Sequence, residues 1–149
     1  MTQKEIHILL KDLATRLPYG VKCNIAGLGN HTLYGIQYYK DKFYINVGYD
    51  ACGNPKEFRV SLIRPYLRPM SSMTSAEKSE LELMGFRYEN GSIINEDVTE
   101  YDDYRNHPYT WVDETKCFEI IEFLNSHHFD YMGLIEKGLA LEAPSDMYE

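Results

Sequence analysis

The 149-residue sequence predicts a single α+β domain, in which an antiparallel meander of three to five strands packs with about three to four helices. The length is that of one domain, 1–149, and is sufficient to bury a core without disulfide bonds. Apolar residues recur at helical spacing near both ends of the chain, whereas they alternate with polar residues between Val21 and Val60. A helix, a run of strands and further helices, in that order, are typical of the α+β class.

The helices are predicted from capping patterns and apolar spacing. Thr2 and Glu5 form a capping-box pattern, and apolar residues then continue at helical spacing to Leu17. A second capping box begins at Thr74, and Gly85 ends the helix that follows it. The remaining predictions toward the C-terminus are a helix within Trp111–His127, a short helix within Tyr131–Lys137 and a tail over residues 143–149.

The strands are predicted from β-rich runs separated by turn residues. The runs are Val21–Ile25, Thr32–Tyr39, Lys42–Val47, Phe58–Leu62 and Phe86–Asn95, the last of which folds back at Asn90-Gly91. Pro65 and Pro69 bracket a segment that we expect to be an extended connector, because proline donates no hydrogen bond to a central strand.

The charge is unevenly distributed along the chain. Residues 1–88 contain 12 Lys and Arg against 8 Asp and Glu, whereas residues 89–149 contain 3 against 15, within a net charge of −8. A strongly acidic segment repels phosphate backbones and attracts basic surfaces. We therefore expect a protein partner with a basic surface, and the charge disfavours nucleic acid.

Cysteine usage and hydropathy indicate a cellular compartment. Cys23, Cys52 and Cys117 are widely spaced and form no Cys-x-x-Cys pair, which is typical of a reducing environment. No run approaches the roughly 18 apolar residues that a membrane-spanning helix needs. We expect a cytoplasmic protein that does not associate with a membrane.

Two strings in the sequence are distinctive. Ile63–Thr74 reads IRPYLRPMSSMT, and His127–Pro144 reads HHFDYMGLIEKGLALEAP. Both resemble segments of a family of small uncharacterised proteins from gut Bacteroidetes and their phages. The resemblance covers about 30 of the 149 residues. It implies an accessory protein of a phage or another mobile element, and it implies no activity, cofactor or catalytic residue.

The strongest functional signal is an acidic segment rich in aromatic residues, Glu96–Trp111. Carboxylates would steer a basic partner toward this segment, and aromatic rings would supply buried contacts. The sequence therefore favours a binding protein over an enzyme, with a DNA-mimic inhibitor of a basic protein as one specific form. The candidate binding residues are Tyr101, Asp102, Asp103, Tyr104, Tyr109 and Trp111.

Two alternatives remain open. His127, His128 and Asp130 are residue types that bind zinc, so a metal-assisted hydrolase is the enzyme alternative, although neighbouring histidines on a helix point about 100° apart. A basic strip interleaved with aromatic residues is typical of single-stranded nucleic-acid binding, and it contributes the candidates Arg59, Arg64 and Arg68. We predict no cofactor from the sequence.

Overall fold

In the computed structural model, residues 1–95 and 114–148 are described, and they form three α-helices and nine strands. The predicted α+β class is confirmed. The helices are α1 (Gln3–Arg16), α2 (Ser75–Leu83) and α3 (Glu114–Ser126). The strands are β1 (Lys22–Ile25), β2 (Gly29–Thr32), β3 (Gly35–Tyr39), β4 (Lys42–Tyr49), β5 (Pro55–Arg59), β6 (Ile63–Leu67), β7 (Phe86–Glu89), β8 (Ser92–Asn95) and β9 (Leu141–Glu142).

The described residues divide into two compact units. The first combines Met1–Pro69 with the described residues from Asn125 onward, and the second is Met70–Leu124. The first unit contains α1, β1 to β6 and β9, while the second contains α2, β7, β8 and most of α3. No described helix is both long and apolar enough to cross a membrane.

Helix α1 begins at the predicted capping box. The Thr2 hydroxyl accepts a hydrogen bond from the Glu5 N–H at 3.3 Å, and the Glu5 carboxylate accepts one from the Thr2 N–H at 2.6 Å. Leu9 and Leu13 are fully buried, as the apolar spacing predicts. The same helix also buries Asp12 and Arg16, a pair that hydrophobic periodicity does not reveal.

The first sheet of the first unit has the strand order β2-β1-β6-β9. Strand β1 is antiparallel to both β2 and β6, whereas β6 and β9 are parallel. Alternate side chains of β1 and β6 are buried, including Cys23, Ile25, Ile63 and Leu67. These residues belong to one hydrophobic core with the apolar face of α1.

The prediction that Pro65 excludes a central strand is wrong, because β6 lies between β1 and β9. The Ala26 N–H donates to the Leu62 carbonyl at 3.1 Å, which makes these two residues a hydrogen-bonded pair. Such pairs alternate along an antiparallel ladder, so Cys23 and Pro65 form a non-hydrogen-bonded pair. On the other side, pairing with β9 begins only at Tyr66. Pro65 therefore occupies a position where neither neighbour needs its missing N–H.

The second sheet of the first unit is the three-stranded antiparallel meander β3-β4-β5. The predicted turn between the first two strands is confirmed, and both of its residues, Lys40 and Asp41, have positive φ angles of 47° and 59°. Paired positive φ angles match the twist of a two-residue hairpin. The strand predicted over Phe58–Leu62 instead ends at Arg59, and Val60–Leu62 forms a 3₁₀ turn.

The second unit contains the other two predicted local structures. Helix α2 begins with a capping box, in which the Thr74 hydroxyl accepts from the Glu77 N–H at 3.3 Å and the Glu77 carboxylate accepts from the Thr74 N–H at 2.7 Å. Strands β7 and β8 form a hairpin whose turn residues, Asn90 and Gly91, have φ angles of 50° and 84°. Local turn and capping chemistry was sufficient to predict these elements.

The end of β6 is hydrogen-bonded to the chain that follows α3. The Arg68 N–H donates to the His128 carbonyl at 2.8 Å, and the Asp130 N–H donates to the Arg68 carbonyl at 2.7 Å. The Ala143 N–H donates to the Leu67 carbonyl at 2.8 Å. This segment thus completes the sheet at the edge of β6.

The chain after α3 differs from the sequence prediction. Turns replace the helix predicted over Tyr131–Lys137, because Gly133 and Gly138 have positive φ angles of 64° and 67° that a helix cannot contain. The prediction of a helix there is wrong.

Residues 143–148, which the sequence indicated as a tail, contact the first sheet. The Tyr148 hydroxyl donates to the Tyr66 carbonyl at 2.8 Å and accepts from the Lys22 N–H at 3.0 Å. The Lys22 ammonium group donates to the Met147 carbonyl at 2.6 Å. These bonds attach the segment to both strands of the β1–β6 pair.

Candidate functional site

Two of the three residue sets predicted from the sequence lie within the described residues. The acidic aromatic set lies outside them; it consists of Tyr101, Asp102, Asp103, Tyr104, Tyr109 and Trp111. The histidine–aspartate set and the arginine set can both be located.

His127, His128 and Asp130 do not converge on a common point for a metal ion. Both oxygens of Asp130 are occupied, since they accept from the Leu134 N–H at 2.7 Å and the Ile135 N–H at 2.8 Å. The His127 Nδ1 lies 3.3 Å from the Ser126 hydroxyl. Among residues 1–95 and 114–148, no group of three or more His, Cys, Asp or Glu side chains is placed to hold a metal ion.

His128 is instead a buried residue with a strongly perturbed environment. Its ring stacks on Tyr148 with the centroids 3.8 Å apart, and only 4% of the residue is exposed. Burial, which is the largest cause, and the positive charge of Arg16 together lower the pKa of His128 to about 4. The Nδ1 atom has no hydrogen-bond partner among the described residues. The imidazole is therefore neutral at pH 7 and packs as an aromatic ring.

Asp130 has a structural role that mutation can separate from metal binding. Asp130→Ala removes the acceptor for two backbone N–H groups, so we expect the free energy of unfolding to fall by about 1–3 kcal/mol in urea titrations. Asp146→Ala, at an exposed carboxylate in the same part of the chain, is the matched control and should change little. A rise in the Tm of the unaltered protein with added zinc, lost in Asp130→Ala, would contradict the structural role.

The three arginines predicted as nucleic-acid contacts lie at different places in the first unit. Arg64 lies on β6 and donates from Nη1 to the Ile63 carbonyl at 3.0 Å, and the Arg68 guanidinium lies 4.4 Å from the centre of the Phe129 ring. Arg59 ends β5 in the second sheet and is exposed. Arg64 and Arg68 thus make contacts within the first unit, at β6 and directly after it, whereas Arg59 belongs to a strand of the second sheet.

Arg59 belongs to an open sheet face that the sequence analysis missed. The strand register places Tyr44 of the central strand directly between Gln37 on one side and Arg59 on the other. One step nearer the hairpin turn, Tyr39 pairs with Lys42 on the same face. We call this surface the Tyr44 face; it consists of Gln37, Tyr39, Lys42, Tyr44, Asn46, Glu57 and Arg59, of which Asn46 is buried, together with Lys40 beside the Tyr39 ring.

The opposite face of the same sheet packs toward the core, which leaves the Tyr44 face outward. Ile45 is fully buried and pairs with Ile36 on one side and Phe58 on the other, both of which pack against the hydrophobic core. Because side chains alternate along a strand, Tyr44 points the other way. Tyr39 is 60% exposed and Tyr44 is half-buried.

The charged groups around the Tyr44 face are mostly cationic. The Lys40 ammonium group lies 5.0 Å from the centre of the Tyr39 ring, and Lys42 and Arg59 are both exposed. Glu57 is the carboxylate that the register places on this face. Asp41 turns away, since its carboxylate accepts a hydrogen bond from the Tyr38 hydroxyl at 3.2 Å. The surface therefore combines two aromatic rings with three cations and one anion.

A pocket of about 360 Å³ opens on the side of the sheet opposite to Tyr44, between the hairpin turn and the start of α1. The rings of Tyr38 and Phe43 form one wall, with their centroids 4.8 Å apart. We call it the hairpin pocket; its lining residues are Gln3, Ile6, Tyr38, Asp41, Lys42, Phe43, Arg59, Val60 and Ser61. Lys42 and Arg59 contribute both to this pocket and to the Tyr44 face.

One signal in the sequence could have indicated this site. In a two-residue hairpin turn, Tyr38 and Tyr39 must point to opposite faces, so one of the two rings has to lie away from the core. The adjacency of Tyr44 and Arg59 could not be read from the sequence, because it depends on the register between β4 and β5.

Neither a family model nor a curated protein nor a solved structure matches this chain. The assignment of a function therefore depends on the geometry of the described residues.

Proposed function

We propose that the chain is a binding protein whose Tyr44 face holds a single-stranded nucleic acid. The observation that carries the proposal is the placement of Tyr39 and Tyr44 on one outward sheet face together with Lys42 and Arg59. Bases stack on aromatic rings whatever their identity, and cations beside the rings follow the phosphate backbone. An open antiparallel sheet presents both groups at a fixed spacing.

The spacing of the two rings supports this ligand. Tyr39 pairs with Lys42, which is two residues from Tyr44, so the two tyrosines are diagonal neighbours on adjacent strands. Diagonal neighbours of this kind lie roughly 7–8 Å apart. An extended single strand can place successive bases on two such rings, whereas the bases of a duplex are stacked on each other and inaccessible.

The net charge of −8 does not prevent such binding. At physiological ionic strength the Debye length is about 8 Å, so charges beyond the contact surface are largely screened. Within that range the Tyr44 face offers Lys40, Lys42 and Arg59 against Glu57. The contact surface therefore has a local charge that complements phosphate, even though the whole chain is acidic.

The first test is the salt dependence of binding. Fluorescence anisotropy with labelled oligo-dT and oligo-U should detect binding at low salt. If all three cations contact phosphates, the plot of log K against log salt should have a slope of about −2. Complete absence of binding at low salt, or affinity for a duplex equal to that for the single strands, would contradict the proposal.

The second test removes the stacking rings. Tyr39→Ala and Tyr44→Ala should each weaken binding roughly tenfold, because base–aromatic stacking contributes about 1–3 kcal/mol per base. Tyr44→Phe should retain most of the affinity, since the ring remains. Phe118→Ala, at a 72% exposed ring in the second unit, is the matched control and should bind as the unaltered protein does. Equal loss in Phe118→Ala would remove the Tyr44 face from the explanation.

Docking of a basic protein on the acidic aromatic segment, residues 96–111, stays a prediction from the sequence. The same anisotropy assay distinguishes it from the proposal, because protein docking on that segment requires neither Tyr39 nor Tyr44.

A further inference from the structure

The hairpin pocket has the size and the wall chemistry of a site for one small planar ligand. Its volume of about 360 Å³ lies at the lower end of the range of roughly 300–1,000 Å³ found for small-molecule sites. Ile6, Val60 and the rings of Tyr38 and Phe43 supply its apolar walls. Such walls suit a flat ring better than a flexible polar chain, because they offer area and few hydrogen bonds.

The charged residues of the pocket divide into an acceptor and two cations. The Asp41 carboxylate accepts one hydrogen bond from the Tyr38 hydroxyl, which leaves most of its acceptor capacity unused. Lys42 and Arg59 line the same pocket and donate hydrogen bonds only. A ligand that complements the pocket thus has an apolar flat surface, an N–H edge and an anionic group.

We infer that the hairpin pocket is a subsite for one nucleotide, with its base between the apolar walls and its phosphate at Lys42 and Arg59. The inference rests on the proposed function, because it assigns the pocket to one base of the strand that lies on the Tyr44 face. Lys42 and Arg59 connect the two surfaces, since both residues belong to each.

The Asp41 carboxylate gives the subsite a preference among bases. Guanine presents two neighbouring N–H donors, N1–H and the N2 amino group, which a carboxylate can accept together. Uracil presents a single N–H between two carbonyl oxygens, which a carboxylate repels. The pocket should therefore bind guanosine monophosphate more tightly than uridine monophosphate.

The test uses free nucleotides, so it does not depend on strand binding. Titration of the full chain with guanosine monophosphate, followed by ¹H–¹⁵N NMR, should shift resonances of Ile6, Tyr38 and Phe43. Uridine monophosphate and inorganic phosphate should bind more weakly. Equal affinity for inorganic phosphate would overturn the inference, because it would reduce the site to the two cations.

Two variants separate the pocket from the rest of the surface. Asp41→Asn should lower the affinity for guanosine monophosphate about tenfold and remove the preference over uridine monophosphate. The substitution is compatible with the turn, since asparagine tolerates the φ of 59° found at Asp41. Glu136→Gln, at an exposed carboxylate outside the pocket, controls for the change in net charge.

Ser61→Trp fills the pocket from an exposed position and leaves the Tyr44 face unchanged. It should abolish nucleotide binding but retain most of the affinity for oligo-dT. If oligonucleotides bind with the expected Tyr44 dependence and guanosine monophosphate does not bind, the subsite is wrong and the proposed function stands. If the nucleotide binds and no oligonucleotide does, the proposed function fails while the pocket remains a nucleotide site.

Discussion

Arg16→Met is expected to lower the free energy of unfolding by about 3–5 kcal/mol, because it leaves a carboxylate buried without its counter-charge. Arg16 is completely buried and donates two hydrogen bonds to Asp12, each 2.9 Å long, and a third to the Phe129 carbonyl at 2.7 Å. Burial raises the pKa of Asp12 despite this partner. Urea denaturation followed by circular dichroism measures the loss.

The size of this effect can be divided between charge and packing. The double variant Arg16→Met with Asp12→Leu removes both charges, so it should recover a large part of the stability that the single variant loses. Lys11→Met, at an exposed cation on the same helix, is the control and should change stability by less than about 0.5 kcal/mol. A loss below 1 kcal/mol in Arg16→Met would show that the carboxylate is solvated or protonated at little cost.

Stability is also expected to decrease as the pH falls from about 6.5 to about 4, and His128 is the reason. Its pKa is about 4 in the folded chain, against an ordinary value of 6.5. In this range the unfolded chain binds a proton that the folded chain does not, so protonation favours unfolding. The shift corresponds to a loss on the order of 3 kcal/mol once the pH has reached 4.

The groups that face His128 explain why it resists protonation. Besides burial, a positive charge on the His128 ring is disfavoured by Arg16, His127 and Arg68. A hydrogen bond with the Tyr19 backbone acts in the opposite direction and favours the protonated ring. His128→Phe keeps an aromatic ring against Tyr148 and removes the titrating group.

The measurement compares urea denaturation at pH 7 and pH 4.5. The free energy of unfolding should differ less between the two pH values in His128→Phe than in the unaltered chain, by about 2–3 kcal/mol. His7→Gln, at an exposed histidine of α1, should keep the full difference. The same pH difference in His128→Phe and in the unaltered chain would mean that other groups cause the acid sensitivity.

Local chemistry explains which parts of the fold could be predicted. The capping boxes at Thr2 and Thr74 and the Asn90-Gly91 turn act through residues within a few positions of one another, so their sequence patterns are sufficient. Pro65 was misinterpreted because its tolerance depends on which ladder positions need an N–H. That information lies in the pairing with distant strands, which no local pattern contains.

In the candidate site, too, residue types could be predicted from the sequence, whereas their neighbours depend on the pairing of distant strands. Arg59 was recognised as a possible nucleic-acid contact from its residue type, whereas Tyr44 became a candidate only through the register that places it next to Arg59. The metal hypothesis required the side chains of His128 and Asp130 as ligands. The structure gives His128 a left-handed backbone with φ of 58° beneath Tyr148, and it directs both oxygens of Asp130 to backbone N–H groups.

The strand order of the first sheet has a consequence for synthesis on the ribosome. Strand β6 lies between β1 and β9, and the whole second unit is translated between β6 and β9. Contiguous units can fold as they emerge, because all their contacts are already available. The second unit can therefore fold while the earlier-made first unit still lacks one edge of its sheet, its Arg16–Phe129 contact and the Tyr148 anchor. The residues that are made first are thus the last to reach their final environment.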